Sequence, residues 1–211
     1  YFYGLHTFSN TKSLDYVFDG YYSRNDYDRL YNDDNVPFRS LVKEDYYYIK
    51  ANANYSMAFS HRNRLAFSLY EFMRISDSEY IGTSAYNQNL HSSETILFAD
   101  YSQRLGSFFF DINPGLSFLT YRLEGMKSIN HLTPRLQARA TYKIDKVQQL
   151  QFMLALGNTY PRINTINNVE QQIDPIIILK GNPKMDNSIL LNPRLSHTLN
   201  LNKFALQTGV S

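Results

Sequence analysis

Residues 46–69 read YYYIKANANYSMAFSHRNRLAFSL. On alternate positions Tyr47, Ile49, Ala51, Ala53, Tyr55, Met57 and Phe59 make one row without a charge. Lys50, Asn52, Asn54, Ser56 and Ser60 fill most of the other row. Side chains of a strand alternate between its two faces, so the rows are an apolar face and a polar face. His61-Arg62-Asn63-Arg64 interrupts the pattern, and Leu65, Phe67 and Leu69 then resume it. The stretch predicts a long strand, a tight turn and a second strand. Strands of soluble sheets commonly run about 5–6 residues. A strand crossing a bilayer at a tilt needs about 9–11, which this run supplies.

The same alternation recurs along the chain. Tyr16, Phe18, Gly20 and Tyr22 oppose Asp15, Asp19 and Ser23, and residues 1–8 alternate weakly before them. Thr95, Leu97, Ala99 and Tyr101 oppose Asp100, Ser102 and Arg104. Phe108, Phe110, Ile112, Leu116 and Phe118 oppose Asp111, Asn113, Gly115 and Ser117. Pro114 stands in that apolar row. Proline offers no N–H to a ladder, so an irregular spot is expected there. Glu71 stands in the row of Leu65, which predicts a bulge or a water-facing end. Leu132, Leu136, Ala138, Ala140 and Tyr142 oppose Thr133, Arg135, Gln137, Arg139 and Thr141. Leu150, Phe152, Leu154 and Leu156 oppose Gln149 and Gln151. Leu191, Leu195, Leu199 and Leu201 oppose Asn192, Arg194, Ser196 and Asn200, and Phe204, Leu206 and Val210 follow.

About ten strands result. Short connections at 9–13, 61–64, 105–107, 144–147 and 202–203 alternate with longer polar ones at 24–44, 76–93, 124–130 and 158–187. Short turns on one rim and long loops on the other define an up-and-down antiparallel meander. That is the pattern of outer-membrane barrels, with periplasmic turns and extracellular loops. In lipid such a sheet must close, because a free edge cannot satisfy its backbone groups. The rival, a soluble β-sandwich, also alternates but rarely combines strands this long with so regular an asymmetry of connections.

Composition agrees. Mean hydropathy is −0.42, and no run approaches the roughly 20 apolar residues of a membrane helix. A barrel tolerates this, since half its strand positions are polar. The 211 residues include 18 Tyr and 14 Phe, aromatic types that favour strands and gather at bilayer boundaries. A formal charge of +2 with mixed signs gives no footprint for nucleic acid. The chain has no cysteine, which excludes disulfides and thiolate metal sites. Residues 1–10 have neither the basic start nor the apolar core of a signal peptide. An exported barrel needs one, so the chain reads as a mature, truncated or partial sequence.

Little in the sequence points to chemistry. His6, His61, His91, His131 and His197 are scattered without metal-ligand spacing, and His197 falls in an apolar row. There is no nucleophile elbow, phosphate loop or triad-like motif, so no catalytic residue, metal site or cofactor is expected. Asp26, Asp28, Asp33, Asp34 and Asn35 lack the regular spacing of a calcium loop and read as a solvated acidic loop. The row Arg135, Gln137 and Arg139, with Asn192 and Arg194, is expected on the polar wall. There it can contact solute or a plug, or stand as a hydrated wall with a salt-bridge network.

Residues 156–201 carry a further pattern: Tyr160-Pro161-Arg162, Asp174-Pro175, then Gly181-Asn182-Pro183-Lys184-Met185 before a strand ending at Asn202-Lys203. This resembles the barrel of TonB-dependent-receptor-like outer-membrane proteins of the Bacteroidota type. Met185 replaces their usual Leu, and Asn187-Ser188 stands where Pro-Glu is common. Gly-Asn-Pro is also turn chemistry, suited to returning a long loop into a strand. The resemblance implies a barrel of about 22 strands around an N-terminal plug, of which residues 1–211 are an internal barrel segment with no identifiable plug. It implies ligand passage driven through TonB, by a non-enzyme in the bacterial outer membrane. The partners it points to are outer-membrane lipid, TonB and the plug, and it leaves a surface lipoprotein open. The alternatives are a non-transporting scaffold, an adhesion or secretion barrel, and a barrel hydrolase. The transported ligand is not legible.

Overall fold

The computed structural model describes residues 1–211 except 34–35, 83–84, 160–161, 167, 173–175, 202–203 and 211. The side chains of 31–33, 36–38 and 163–164 also lie outside the description. Ten strands form one antiparallel sheet in sequence order. They are β1 (Phe2–Ser9), β2 (Lys12–Asp33), β3 (Val36–Ser60), β4 (Asn63–Ile81), β5 (Tyr86–Leu105), β6 (Phe108–Leu123), β7 (Ile129–Lys143), β8 (Gln148–Asn158), β11 (Ile189–Leu201) and β12 (Phe204–Val210). Between β8 and β11 lie a single helical turn, α1 (Ile163–Ile166), and a small hairpin of β9 (Gln171–Gln172) and β10 (Ile178–Leu179). The sheet is not closed, and β1 and β12 are its edges. No helix among the described residues is long and apolar enough to cross a membrane.

The expected short turns at 9–13, 61–64, 105–107 and 144–147 fall where strands reverse, with Gly106 at φ 59° in the third. Only glycine takes that angle without strain. The turn at 202–203 lies outside the described residues. Two expected loops are not loops. Residues 24–44 and 76–93 belong mostly to strands, with β2 and β3 paired without a break from Lys12↔Met57 to Asp33↔Val36. Pairing of β4 with β5 likewise continues to Tyr80↔Tyr86. At about 3.3 Å per residue the 22 residues of β2 extend roughly 70 Å. The long hairpins therefore project well past the 9–11 residues or so that span a bilayer. The loops at 124–128 and 159–188 stand as expected.

The register holds the two faces apart. Tyr16, Ala53, Leu69, Leu97, Leu116 and Pro134 are successive cross-strand partners on the apolar face. That face is bare: Leu97 is 55% exposed, Leu116 52%, Phe118 49% and Leu132 67%. On the other face, Ser68, Arg74, Ser76, Ser92, Glu94 and Ser117 are buried. The covered face thus buries charge and hydroxyls beside an apolar set that includes Leu90, Ile96, Leu119 and Tyr121, while the bare face is apolar, where a soluble domain would expose polar residues.

Pro114 produces the expected irregularity. Pairing of β5 with β6 runs to Phe98↔Gly115 and resumes at Tyr101↔Ile112, skipping Ala99 and Asp100 without a change of register. Gly115 is required there, because a Cβ would collide with the carbonyl oxygen of Leu97. Of the bulge or water-facing end expected at Glu71, the bulge is absent. Its pairing with Ala51 and Thr95 continues unshifted, and the hydroxyls of Thr95 and Ser93 donate to its carboxylate at 2.5 and 2.8 Å. Two local donors thus satisfy a carboxylate that the ladder would otherwise have to turn aside.

Candidate functional site

The candidate site is the covered face, where β4–β8 carry a charged network beneath the 159–188 loop. Glu94 is its centre. Its Oε1 accepts from Arg135 Nη2 at 2.5 Å, from the Ser117 hydroxyl at 2.7 Å and from Asn158 Nδ2 at 3.5 Å. Arg74 Nη2 lies 3.8 Å from Oε2. The Glu94 side chain is 5% exposed, so its charge needs these partners. Asn158 ends β8, so the network also ties down the root of the long loop. Gly157 makes room for it: a Cβ would stand 2.8 Å from Arg135 Nη1.

A second group lies lower on the same face. Asn54 donates to Asp15 at 2.8 Å, and the Ser68 hydroxyl lies 3.1 Å from Asn54 Oδ1 and 3.0 Å from Asp100. Arg139 pairs with Asp111 at 2.9 Å. Beside that pair opens a cleft of about 340 Å³, lined in part by Asn113, Gln137, Asn192 and Arg194.

The long loop folds against this face. Ile166 of α1 is fully buried among Leu90, Leu119, Tyr121 and Leu123, with Met126, Ile129 and Met185 around them. The side chain of Gln88 donates to Asn168 at 3.0 Å. The Gly-Asn-Pro segment serves as a turn: Asn182 N–H donates to the Thr165 carbonyl at 2.8 Å, and Lys184 N–H to the Asn182 side chain at 3.0 Å. Met185 N–H closes on the Asn182 carbonyl, and the Tyr121 hydroxyl donates to the Met185 carbonyl. Further on, Gln171 and Leu179 of the small hairpin line a cleft of about 250 Å³ with Tyr27, Ser40, Glu44 and Tyr80. The loop therefore reaches from β8 across to β2–β4.

The basic row expected from the sequence is where the alternation put it. Arg135 and Arg139 are spent on acids, while Arg194 makes no ion pair among the described residues. His197 sits in its apolar row, with Nε2 3.3 Å from Gln148 Oε1. His131 stacks on Tyr121 and lies 3.9 Å from Asp186. No group of three His, Asp or Glu among the described residues could hold a metal ion. Of the acidic stretch, Asp26 pairs with Arg24 and Asp28 with Arg39, on strands instead of a loop. Asp34 and Asn35, the side chain of Asp33, Tyr160-Pro161 and Asp174-Pro175 lie outside the described residues. Sequence reasoning missed Glu94, Arg74 and Ile166. The first two were detectable as charges continuing the polar rows into 70–94.

No protein-family model matches the sequence, and no curated protein matches it. Solved structures do. BauA, the ferric preacinetobactin receptor from Acinetobacter baumannii, superposes with a TM-score of 0.68 at 8% identity over 98% of this chain. The fold is that of a TonB-dependent-receptor barrel wall. FyuA, the ferric yersiniabactin uptake receptor from Yersinia pestis, gives a TM-score of 0.52 at 13% identity, again over 98% of the chain. The chain spans 35% and 34% of these two receptors, about a third of each. The likeness is one of fold: one face of the sheet carries the covered network around Glu94, and the other is apolar and bare.

Proposed function

We propose that this chain is a wall segment of a larger outer-membrane barrel, about 22 strands in all, that passes a nutrient ligand inward around a movable plug powered through TonB. The observation that carries the reading is the reversed sheet, with a contiguous bare apolar band on one face and buried, hydrogen-bonded charge on the other. Exposed apolar area on this scale belongs against lipid. The full wall would need further strands beside β1 and β12, whose edges are open. The chain has no catalytic role in this reading. Its residues shape the lumen and anchor the loop above it.

The test has three arms. The protein is expected in the outer-membrane fraction, extractable only with detergent; a monodisperse soluble protein sinks the membrane reading. Single cysteines at Asn89 and Asn168 are expected to label on intact cells, and one at Asn63 only after permeabilisation; the inverse pattern reverses the orientation. Uptake of the ligand is expected to stop when TonB is removed. Unchanged uptake rejects energised transport, and a full-length sequence without a plug favours the scaffold reading.

A further inference from the structure

The bare face is not apolar throughout. Glu71 stands in it, in the outward row of β4 between Leu69 and Met73. Its cross-strand partners are Ala51 and Thr95, and Thr95 in turn faces Phe118 of β6. The two carboxylate oxygens accept from the Ser93 hydroxyl at 2.8 Å and the Thr95 hydroxyl at 2.5 Å. On β5 the same row reads Gln103, Tyr101, Ala99, Leu97, Thr95 and Ser93, so only three apolar positions stand between polar ones. On β3 it runs without a charge from Tyr47 to Phe59. The apolar band is therefore notched at β4 and β5. An ionisable side chain on a membrane-facing surface is costly without a partner and reads as a site.

Directly below the notch the face is hollow. Leu69 and Leu97, each one outward step of about 7 Å below Glu71 and Thr95, line the hollow with Ala53, Ala99, Pro114 and Leu116. Its volume is about 700 Å³. Sites for small molecules commonly span roughly 300–1,000 Å³. The depth comes from the small side chains of Ala53 and Ala99, and Ala99 lies where pairing with β6 is skipped. A polar ledge over an apolar hollow has the outline of an amphiphile, with a head on the ledge and a tail beneath it.

Charge selects the head. Ser93 and Thr95 spend their protons on Glu71, so the ledge offers lone pairs and no donor. A carboxylate has about four acceptor sites, and the two hydroxyls leave the others open. Glu71 makes no ion pair among the described residues. His91 and Arg122 share this face only at the level of Ile75, two steps higher.

We propose that the ledge and hollow hold one phospholipid with a primary ammonium headgroup, its ammonium on Glu71 and an acyl chain in the hollow. The proposal rests on the outer-membrane reading above, which sets this face against lipid. A primary ammonium supplies N–H donors and the missing positive charge together. The quaternary ammonium of a choline lipid has the charge without an N–H, and a glycerol headgroup leaves only its phosphate's negative charge beside the carboxylate. Phosphatidylethanolamine meets both requirements.

The test titrates the full-length protein that contains this chain, purified in detergent, with phosphatidylethanolamine, phosphatidylcholine and phosphatidylglycerol of identical acyl chains. Native mass spectrometry counts the bound lipid. Phosphatidylethanolamine is expected to fill the first site at about tenfold lower concentration than either rival, and Glu71→Gln to remove that preference, the loss of one charge-assisted hydrogen bond. Ala53→Leu narrows the hollow and leaves Glu71 with its donors; it is expected to weaken retention of phosphatidylethanolamine and keeps the test open should Glu71→Gln fail to fold. Asp77→Asn is the control, an acid of the same row three steps above Glu71 and outside the hollow, and is expected to change nothing. Equal retention of the three lipids, a preference for phosphatidylglycerol, or a preference for phosphatidylethanolamine that survives Glu71→Gln overturns the proposal. A dimer that Ala53→Leu dissociates assigns the hollow to a second copy of the chain and overturns it too. None of these results alters fractionation, which decides the membrane reading separately.

Discussion

Two stretches of the same hairpin, residues 46–60 and residues 24–33 with 36–44, are equally strands and look nothing alike in sequence. In the lower stretch, apolar residues fill a single row and polar residues its neighbour, because the two faces meet different surroundings. In the upper stretch polar residues occupy both rows: Arg24, Asp26 and Asp28 on one, Asn25 and Arg29 on the other. Backbone pairing continues there, from Arg24↔Asp45 to Arg29↔Ser40 and beyond. Alternation therefore reports a sheet whose two faces differ, and it is lost where both faces are polar. It does not report strand as such.

The largest effect is expected at the boundary between the two levels. Glu94→Ala leaves Arg74 and Arg135 buried without their carboxylate, a loss on the order of 3–5 kcal/mol. Its measure is the denaturant midpoint of refolding into bilayers, and a midpoint like that of the unmodified protein breaks the claim that the network holds the wall. In the lower wall, Ala53→Arg is expected to cost roughly 2–4 kcal/mol on the lipid side, and Asn52→Arg far less on the lumen side. Ala53→Leu is the steric control and is expected to be nearly neutral. A larger loss from Asn52→Arg reverses the two faces.

In the upper wall, Ile166→Ala removes a fully buried side chain and is expected to loosen the loop by about 2–5 kcal/mol. Protease cleavage within 159–188 should speed up while the denaturant midpoint of the wall stays fixed; unchanged cleavage means the loop is held elsewhere. The smallest effect belongs to the tip. Arg39 holds the Asp28 carboxyl below the usual carboxylate range through paired hydrogen bonds. A lowered folded-state pKa stabilises above the unfolded pKa and is lost as pH falls through the folded value. Hydrogen exchange at residues 26–30 is therefore expected to change only in acid below the ordinary carboxylate pKa. A change near neutral pH assigns the tip's order to other contacts.

The same contrast explains what the sequence disclosed. The meander, its described short turns and the polar-face position of Arg135, Arg139 and Arg194 were legible because alternation operates across the lower wall. The upper hairpins were not, since charge and polarity on both rows mimic a loop. Glu94 was hidden because it sits one residue past a stretch read as a loop, although Arg74 and Glu94 continue rows visible below them. Ile166 was illegible in principle: one apolar residue in a polar loop has no period, and its socket comes from strands brought together only by folding. The departures at Tyr48, Tyr70, Phe72 and Phe98 were visible as aromatics in a polar row, a signal easily taken for strand propensity.

The skip in pairing at Ala99 and Asp100, opposite Pro114, has a mechanical meaning. Between β5 and β6 the ladder is interrupted in mid-run, since Ala99 and Asp100 contribute no pairing, whereas β2–β3 and β4–β5 pair without a gap. On the outside, the same level is sunk into a hollow of about 700 Å³ lined by Ala53, Leu97, Ala99, Pro114 and Leu116. The sheet thus has a local point of give in mid-strand, at the level of Pro114. Bending across the strands would concentrate at that gap and spare the uninterrupted ladders of β2 with β3 and of β4 with β5.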